Sequence, residues 1–170
     1  MSGQAIMRTA YIPLSVIALT SCLANSASAD WEFTQWGMTK AEVQQAAKDR
    51  GIQLEISSDD YNCSNRHSAV AFKAEYKLDD FSAPACILFD RETGFLRWIK
   101  IPLPDPTLKQ HLHDLLTKKY GGPFKTEELI PGILPVTTWL APDARITISS
   151  IGDSATLDFE PREDPVGDGW

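Results

Sequence analysis

Three histidines and three cysteines are scattered through 170 residues. No two cysteines stand at C-x-x-C spacing, and basic residues never gather beyond the pair Lys118-Lys119. Each shortage excludes a class of function. A dithiol redox centre prefers C-x-x-C, which is missing. A structural zinc site needs four ligands, and only His67 stands near Cys63 in sequence. His111 and His113 are two apart on a helical stretch, and side chains at that spacing do not face each other. No histidine follows Ser154 in Gly152-Asp153-Ser154, so that esterase-like tripeptide has no downstream base and reads as a turn. The adjacent acids Asp59-Asp60, Asp79-Asp80 and Glu127-Glu128 cannot flank a glycosidic bond, which needs carboxyls several Å apart across a cleft. Gly121-Gly122-Pro123-Phe124-Lys125-Thr126 lacks the phosphate-loop spacing. No cofactor motif is present, and no cofactor is expected. A net charge of −7 without a basic block repels phosphate backbones and excludes nucleic acid as a partner.

The chain does contain an export signal. Met1 to Ala29 carries a single charge, Arg8, then an apolar run from Ala10 through Ala24, then Ala27-Ser28-Ala29. A basic start, a short apolar stretch and a small-x-small site predict a secretory signal peptide cut between Ala29 and Asp30. The run is too short and too rich in hydroxyls for the ~20 apolar residues of a membrane span. The mature chain is therefore expected to have no transmembrane helix. Leu19-Thr20-Ser21-Cys22 resembles a bacterial lipobox, and the alternative is an outer-membrane lipoprotein lipidated at Cys22.

Cleavage leaves 141 residues with 15 basic and 23 acidic side chains, a net of −8. This is enough for one domain or two very small ones. Cys63 and Cys86 remain. In an oxidising compartment the simplest reading is a structural disulfide between them.

The pattern along the chain predicts helix, then strands, twice. Thr39-Lys40-Ala41-Glu42 is a capping box, with Val43, Ala46 and Ala47 on one face behind it and Gly51 as the stop. Ile52–Ile56 reads as a weak strand. In residues 70–78, Val70, Phe72, Ala74, Tyr76 and Leu78 alternate with polar positions. Residues 85–89 and 95–101 follow as strands, joined by a turn at Gly94. Pro102, Pro104 and Pro106 mark a joint. Asp105 is read as an N-cap, and Leu108, Leu112, Leu115, Leu116 and Tyr120 recur at helical spacing. Strands are expected at 124–129, 136–140, 145–150 and 154–160, the last pair joined by a turn at Gly152-Asp153. The expected fold class is α+β: two helix-then-antiparallel-strands units, 30–101 and 102–160, sharing one sheet with both helices on one face. Residues 161–170 read as a disordered acidic tail.

Trp36-Gly37-Met38-Thr39-Lys40-Ala41-Glu42-Val43, together with Lys119-Tyr120-Gly121-Gly122-Pro123 and the later Trp139, resembles small exported bacterial proteins built from helix-plus-antiparallel-sheet repeats. Examples are the beta-lactamase inhibitor protein and the outer-membrane assembly lipoproteins that look like half of it. The resemblance implies a protein that binds other proteins and is not an enzyme.

Function is therefore expected to be non-catalytic binding in the periplasm or outside the cell, with another envelope or extracellular protein as partner. The alternative is a small secreted hydrolase whose site gathers residues scattered in sequence. Trp31, Trp36 and Trp139 are assigned to the core or its edges. Trp98 can lie in the core or on an open sheet face. On the open face it would have Lys73, Glu75 and Lys77 as neighbours, the aromatic-and-charged composition of a binding hot spot.

Overall fold

The computed structural model describes residues 33–57, 63, 67–103, 105 and 107–162. The signal peptide, the Ala29–Asp30 cut, the lipidation alternative at Cys22, Trp31 and residues 163–170 lie outside the described residues.

The first helix, α1 (Lys40–Asp49), begins as its capping box dictates. The Thr39 hydroxyl accepts from the Glu42 amide at 3.4 Å, and the Glu42 carboxylate accepts from the Thr39 amide at 2.7 Å. Two otherwise orphaned backbone donors are thereby satisfied. Gly51 then takes φ +68°, a left-handed conformation that favours glycine and ends the helix. Val43 and Ala47 form the buried face. Four strands follow: β1 (Glu55–Ile56), β2 (Ser68–Leu78), β3 (Phe81–Asp90) and β4 (Leu96–Leu103). Next comes α2 (Leu108–Tyr120), burying Leu112 and Leu116. The chain closes with β5 (Lys125–Ile130), β6 (Leu134–Leu140), β7 (Ala144–Ile151) and β8 (Ser154–Pro161).

All eight strands join one antiparallel sheet in the order β1-β2-β3-β4-β8-β7-β6-β5. The expected fold of two helix-then-strands units is thereby corrected. The molecule is mostly one continuous eight-stranded sheet with only two short helices, and no seam divides it at residue 102. The reason lies in the proline segment. Pro102 does not break the chain but sits inside β4, opposite Thr156 of β8. Five register pairs, from Ile99↔Phe159 to Leu103↔Ala155, weld β4 to β8. The β3–β4 ladder has already ended at Cys86↔Lys100, so the missing proline N–H costs no ladder bond there.

One main core cluster spans β2, β3, β4, β6, β7 and β8. Val43 and Ala47 of α1 and Leu112 and Leu116 of α2 join Phe72, Ile87, Ile101, Trp139, Ile146 and Leu157 in it. Both ends of α2 are pinned to neighbours: Lys109 Nζ donates to Ser150 Oγ at 2.9 Å, His111 meets Asp80 at 2.9 Å, and Lys118 Nζ donates to Asp79 at 2.9 Å. The acids Asp79 and Asp80 thus anchor the β2–β3 turn to α2, and the Lys118 ammonium holds the Asp79 carboxyl below its ordinary pKa.

Local boundaries shift for identifiable reasons. Asp105 does not cap α2 directly. Its carboxylate accepts from the Thr107 amide at 2.8 Å, and the helix begins at Leu108. Residues 161 and 162 are part of the ordered body: β8 runs to Pro161, and the Arg162 amide donates to the Asp143 carbonyl at 2.9 Å.

Candidate functional site

The helices and the main core occupy one sheet face, so the other face is where side chains meet solvent or a partner. In an antiparallel sheet, directly opposed residues share a face. The register therefore defines one unbroken row across all eight strands: Glu55, Lys73, Cys86, Lys100, Asp158, Thr147, Thr138 and Lys125. In the central strands its members alternate with core residues, as with Ile99 and Ile101 around Lys100 and Leu157 and Phe159 around Asp158. The row lies on the open face and combines cations, anions and hydroxyls about the Cys63–Cys86 disulfide, which the structure forms as expected.

Beside this row is a small second cluster of Cys63, Val70, Cys86 and Leu88, with Trp98 packed against it half-buried. Two β-bulges put it there. One falls between Val70 and Phe72, and it turns Val70 away from the helix-side face that simple alternation assigns it. The other falls between Leu88↔Trp98 and Phe89↔Leu96, leaving Arg97 as the extra residue. It buries Leu96 in the main core and leaves Phe95 46% exposed, the reverse of unbroken alternation. The bulged Arg97 guanidinium stands 5.9 Å from the Trp98 ring centroid, within range of a cation–π contact.

The lead-in segment completes the site. The Gly37 amide donates to the Leu96 carbonyl at 3.1 Å and the Leu96 amide to the Met38 carbonyl at 2.8 Å. These bonds hold the lead-in beside the start of β4, where Trp36 packs against the main core. The result is a cleft of 670 Å³ at the end of the sheet, lined by Trp36, Phe95 and Trp98 with His67, Arg91, Arg97 and Pro161 among its walls.

The structure brings together only part of the expected docking group. Trp98 is opposite Leu88, which is opposite Val70. Lys73 is in the adjacent row, opposite Cys86. Glu75 and Lys77 run away from Trp98 along β2, opposite Pro84 and Ser82. The Glu75 carboxylate accepts from Ser82 Oγ at 2.6 Å and pairs with Lys77 at 2.9 Å. Lys100, Asp158, Trp36, Phe95 and Arg97 belong to the site and were not singled out from sequence. The available signal was the alternation of 154–160, which puts Asp158 opposite its apolar neighbours, but which strand lies beside it depends on sheet order.

Asp158 on this face has a raised carboxyl pKa. Partial burial pushes its carboxyl above the ordinary aspartate value of 3.8. The Lys100 charge and a 3.0 Å hydrogen bond from Thr156 oppose that rise, and Glu160 adds to it. A carboxyl whose folded pKa is raised binds its proton more tightly folded than unfolded, so its ionisation weakens folding. The penalty is absent below the unfolded value and grows as pH rises through the folded one. Asp158→Asn should therefore leave stability nearly unchanged at pH 3 and raise the melting temperature at pH 7. Thermal melts at both pH values check this; a lower melting temperature at pH 7 would show that the Lys100 attraction outweighs burial.

Among the described residues, His67 shares the cleft with Asp90, and none of the cleft's described lining residues is a serine. The Asp90 carboxylate is taken up by the Thr93 and Glu92 amides, at 2.8 and 3.0 Å, in the turn before Gly94. His113 stacks edge-on against Trp139 at 5.1 Å, and no group of three or more potential metal ligands occurs among the described residues. No helix among them is long and apolar enough to cross a membrane. No protein-family model matches the chain, and neither a curated protein nor a solved structure matches it.

Proposed function

We propose that this is a non-catalytic binding protein of the cell envelope that docks a partner protein on its open sheet face, with the aromatic cleft at Trp98 as the anchor. The observation carrying this reading is the position of Trp98: half-buried on the face opposite the helices, beside a cleft whose other aromatic walls are Trp36 and Phe95. Tryptophan and arginine are the residues most enriched at interface hot spots, and a surrounding ring of charged residues is the usual rim. Here Arg97 lies over the indole, and Lys73, Lys100, Asp158 and Glu160 supply charges of both signs. A partner would insert an apolar side chain among the three rings while its polar groups meet the mixed row. The leader-like residues 1–29 and the Cys63–Cys86 bond support an oxidising compartment outside the cytoplasm.

The experiment is site-specific photocrosslinking in envelope preparations. A photoreactive residue at exposed Arg91, on the cleft rim, should give one discrete protein adduct, and the same residue at exposed Gln44 on α1 should not. Trp98→Ala should abolish the adduct. Equal adducts from both positions, no adduct from Arg91, or an adduct indifferent to Trp98 would each refute the reading.

A further inference from the structure

The two edges of the sheet are unlike. β1 is two residues long, too short to template another strand, whereas β5 presents six residues with a partner on one side alone. A long edge strand is an invitation to pair with another chain. Of the seven exposed large apolar side chains among the described residues, four flank this edge: Phe124 at 68%, Leu129 at 59%, Ile130 at 47% and Ile133 at 54%. The charges along β5 discourage an arbitrary strand, yet they are complementary to themselves. Lys125 and Glu127 share a face and lie 2.6 Å apart within one chain. In a two-fold antiparallel pairing, residues directly opposed must share a face. An axis at Glu127 sets Glu127 against itself, and an axis at Lys125 sets Lys125 against itself. An axis at Thr126 sets Lys125 of each copy opposite Glu127 of the other and Phe124 opposite Glu128, one residue from Leu129. This register uses residues 124–128, the stretch that precedes the bulge between Glu128 and Ile130.

We infer that β5 is a homodimerisation edge, joining two copies in one continuous antiparallel sheet about an axis at Thr126. Sedimentation velocity on the purified protein tests this, together with Lys125→Glu and Glu127→Lys. The wild type should be a dimer in the micromolar range. Each variant opposes like charges twice and should dissociate at least roughly tenfold more readily. An equimolar mixture of the two variants should restore the dimer, because at both opposed positions a carboxylate of the first variant then meets an ammonium of the second. A mixture that stays monomeric, or a monomeric wild type, would overturn the inference, and so would a dimer that neither substitution weakens. If either variant folds poorly, hydrogen exchange of the wild type decides. The β5 amides should lose protection on hundredfold dilution while those of β8 keep theirs; protection independent of concentration would equally overturn it.

Discussion

Trp139→Ala is expected to be the most destabilising single substitution in the sheet, at about 3–5 kcal/mol. Its ring is fully buried, it opposes Ile146 across β6 and β7, and His113 of α2 packs edge-on against it. Truncation leaves a cavity between helix and sheet that rigid strands on both sides of β6 cannot close. Melting should fall by roughly 10–20 °C in a domain of this size. Its indole N–H has no hydrogen-bond partner among the described residues, so Trp139→Phe keeps most of the packing without losing such a bond and should cost clearly less. A Trp139→Ala melt within two or three degrees of wild type would mean that α2 is not packed as described.

Replacing both Cys63 and Cys86 by serine is expected to cost about 3.5 kcal/mol, the chain-entropy value for a loop closed over this sequence separation of 23. The bond crosses from Cys63 to the centre of β3, where both sulfurs are buried beneath the patch that supports Trp98. Its removal should therefore lower the midpoint of urea unfolding and also change tryptophan emission from the native state. A midpoint shift equivalent to less than about 1 kcal/mol would contradict a structural role for the bond.

Much of the local structure was legible because it is written in short-range chemistry. The capping box at Thr39 and Glu42 declares the start of α1, and the alternation in 145–150 and 154–160 declares β7 and β8 with a turn at Gly152. The Cys63–Cys86 pairing was legible because only two cysteines lie beyond the leader-like residues 1–29. What could not be read is non-local. Nothing near Ile99 indicates that its neighbour will be Phe159, and that pairing converts two expected units into one sheet. Pro102 looked like a break because proline is a poor strand residue, and it is tolerated because the β3 ladder has already stopped. The bulges beside Val70 and Arg97 each change which face the following residues occupy, so simple alternation misplaced Val70, Phe95 and Leu96. The candidate site was the least legible for this reason. Trp98 was legible as an ambiguous tryptophan, but its companions Trp36, Phe95, Lys100 and Asp158 arrive through the lead-in bridge and the β4–β8 pairing. Glu75 and Lys77, beyond the β2 bulge, run away from it.

The proposed docking requires Trp98 to be a surface for a partner rather than a structural filler. The most direct measurement is the affinity of Trp98→Ala for the protein captured by crosslinking at Arg91, titrated beside wild type. The loss should be about 2 kcal/mol or more, roughly thirtyfold, while the melting temperature falls far less than for Trp139→Ala. Unchanged affinity, or a loss of stability as large as that of Trp139→Ala, would contradict it.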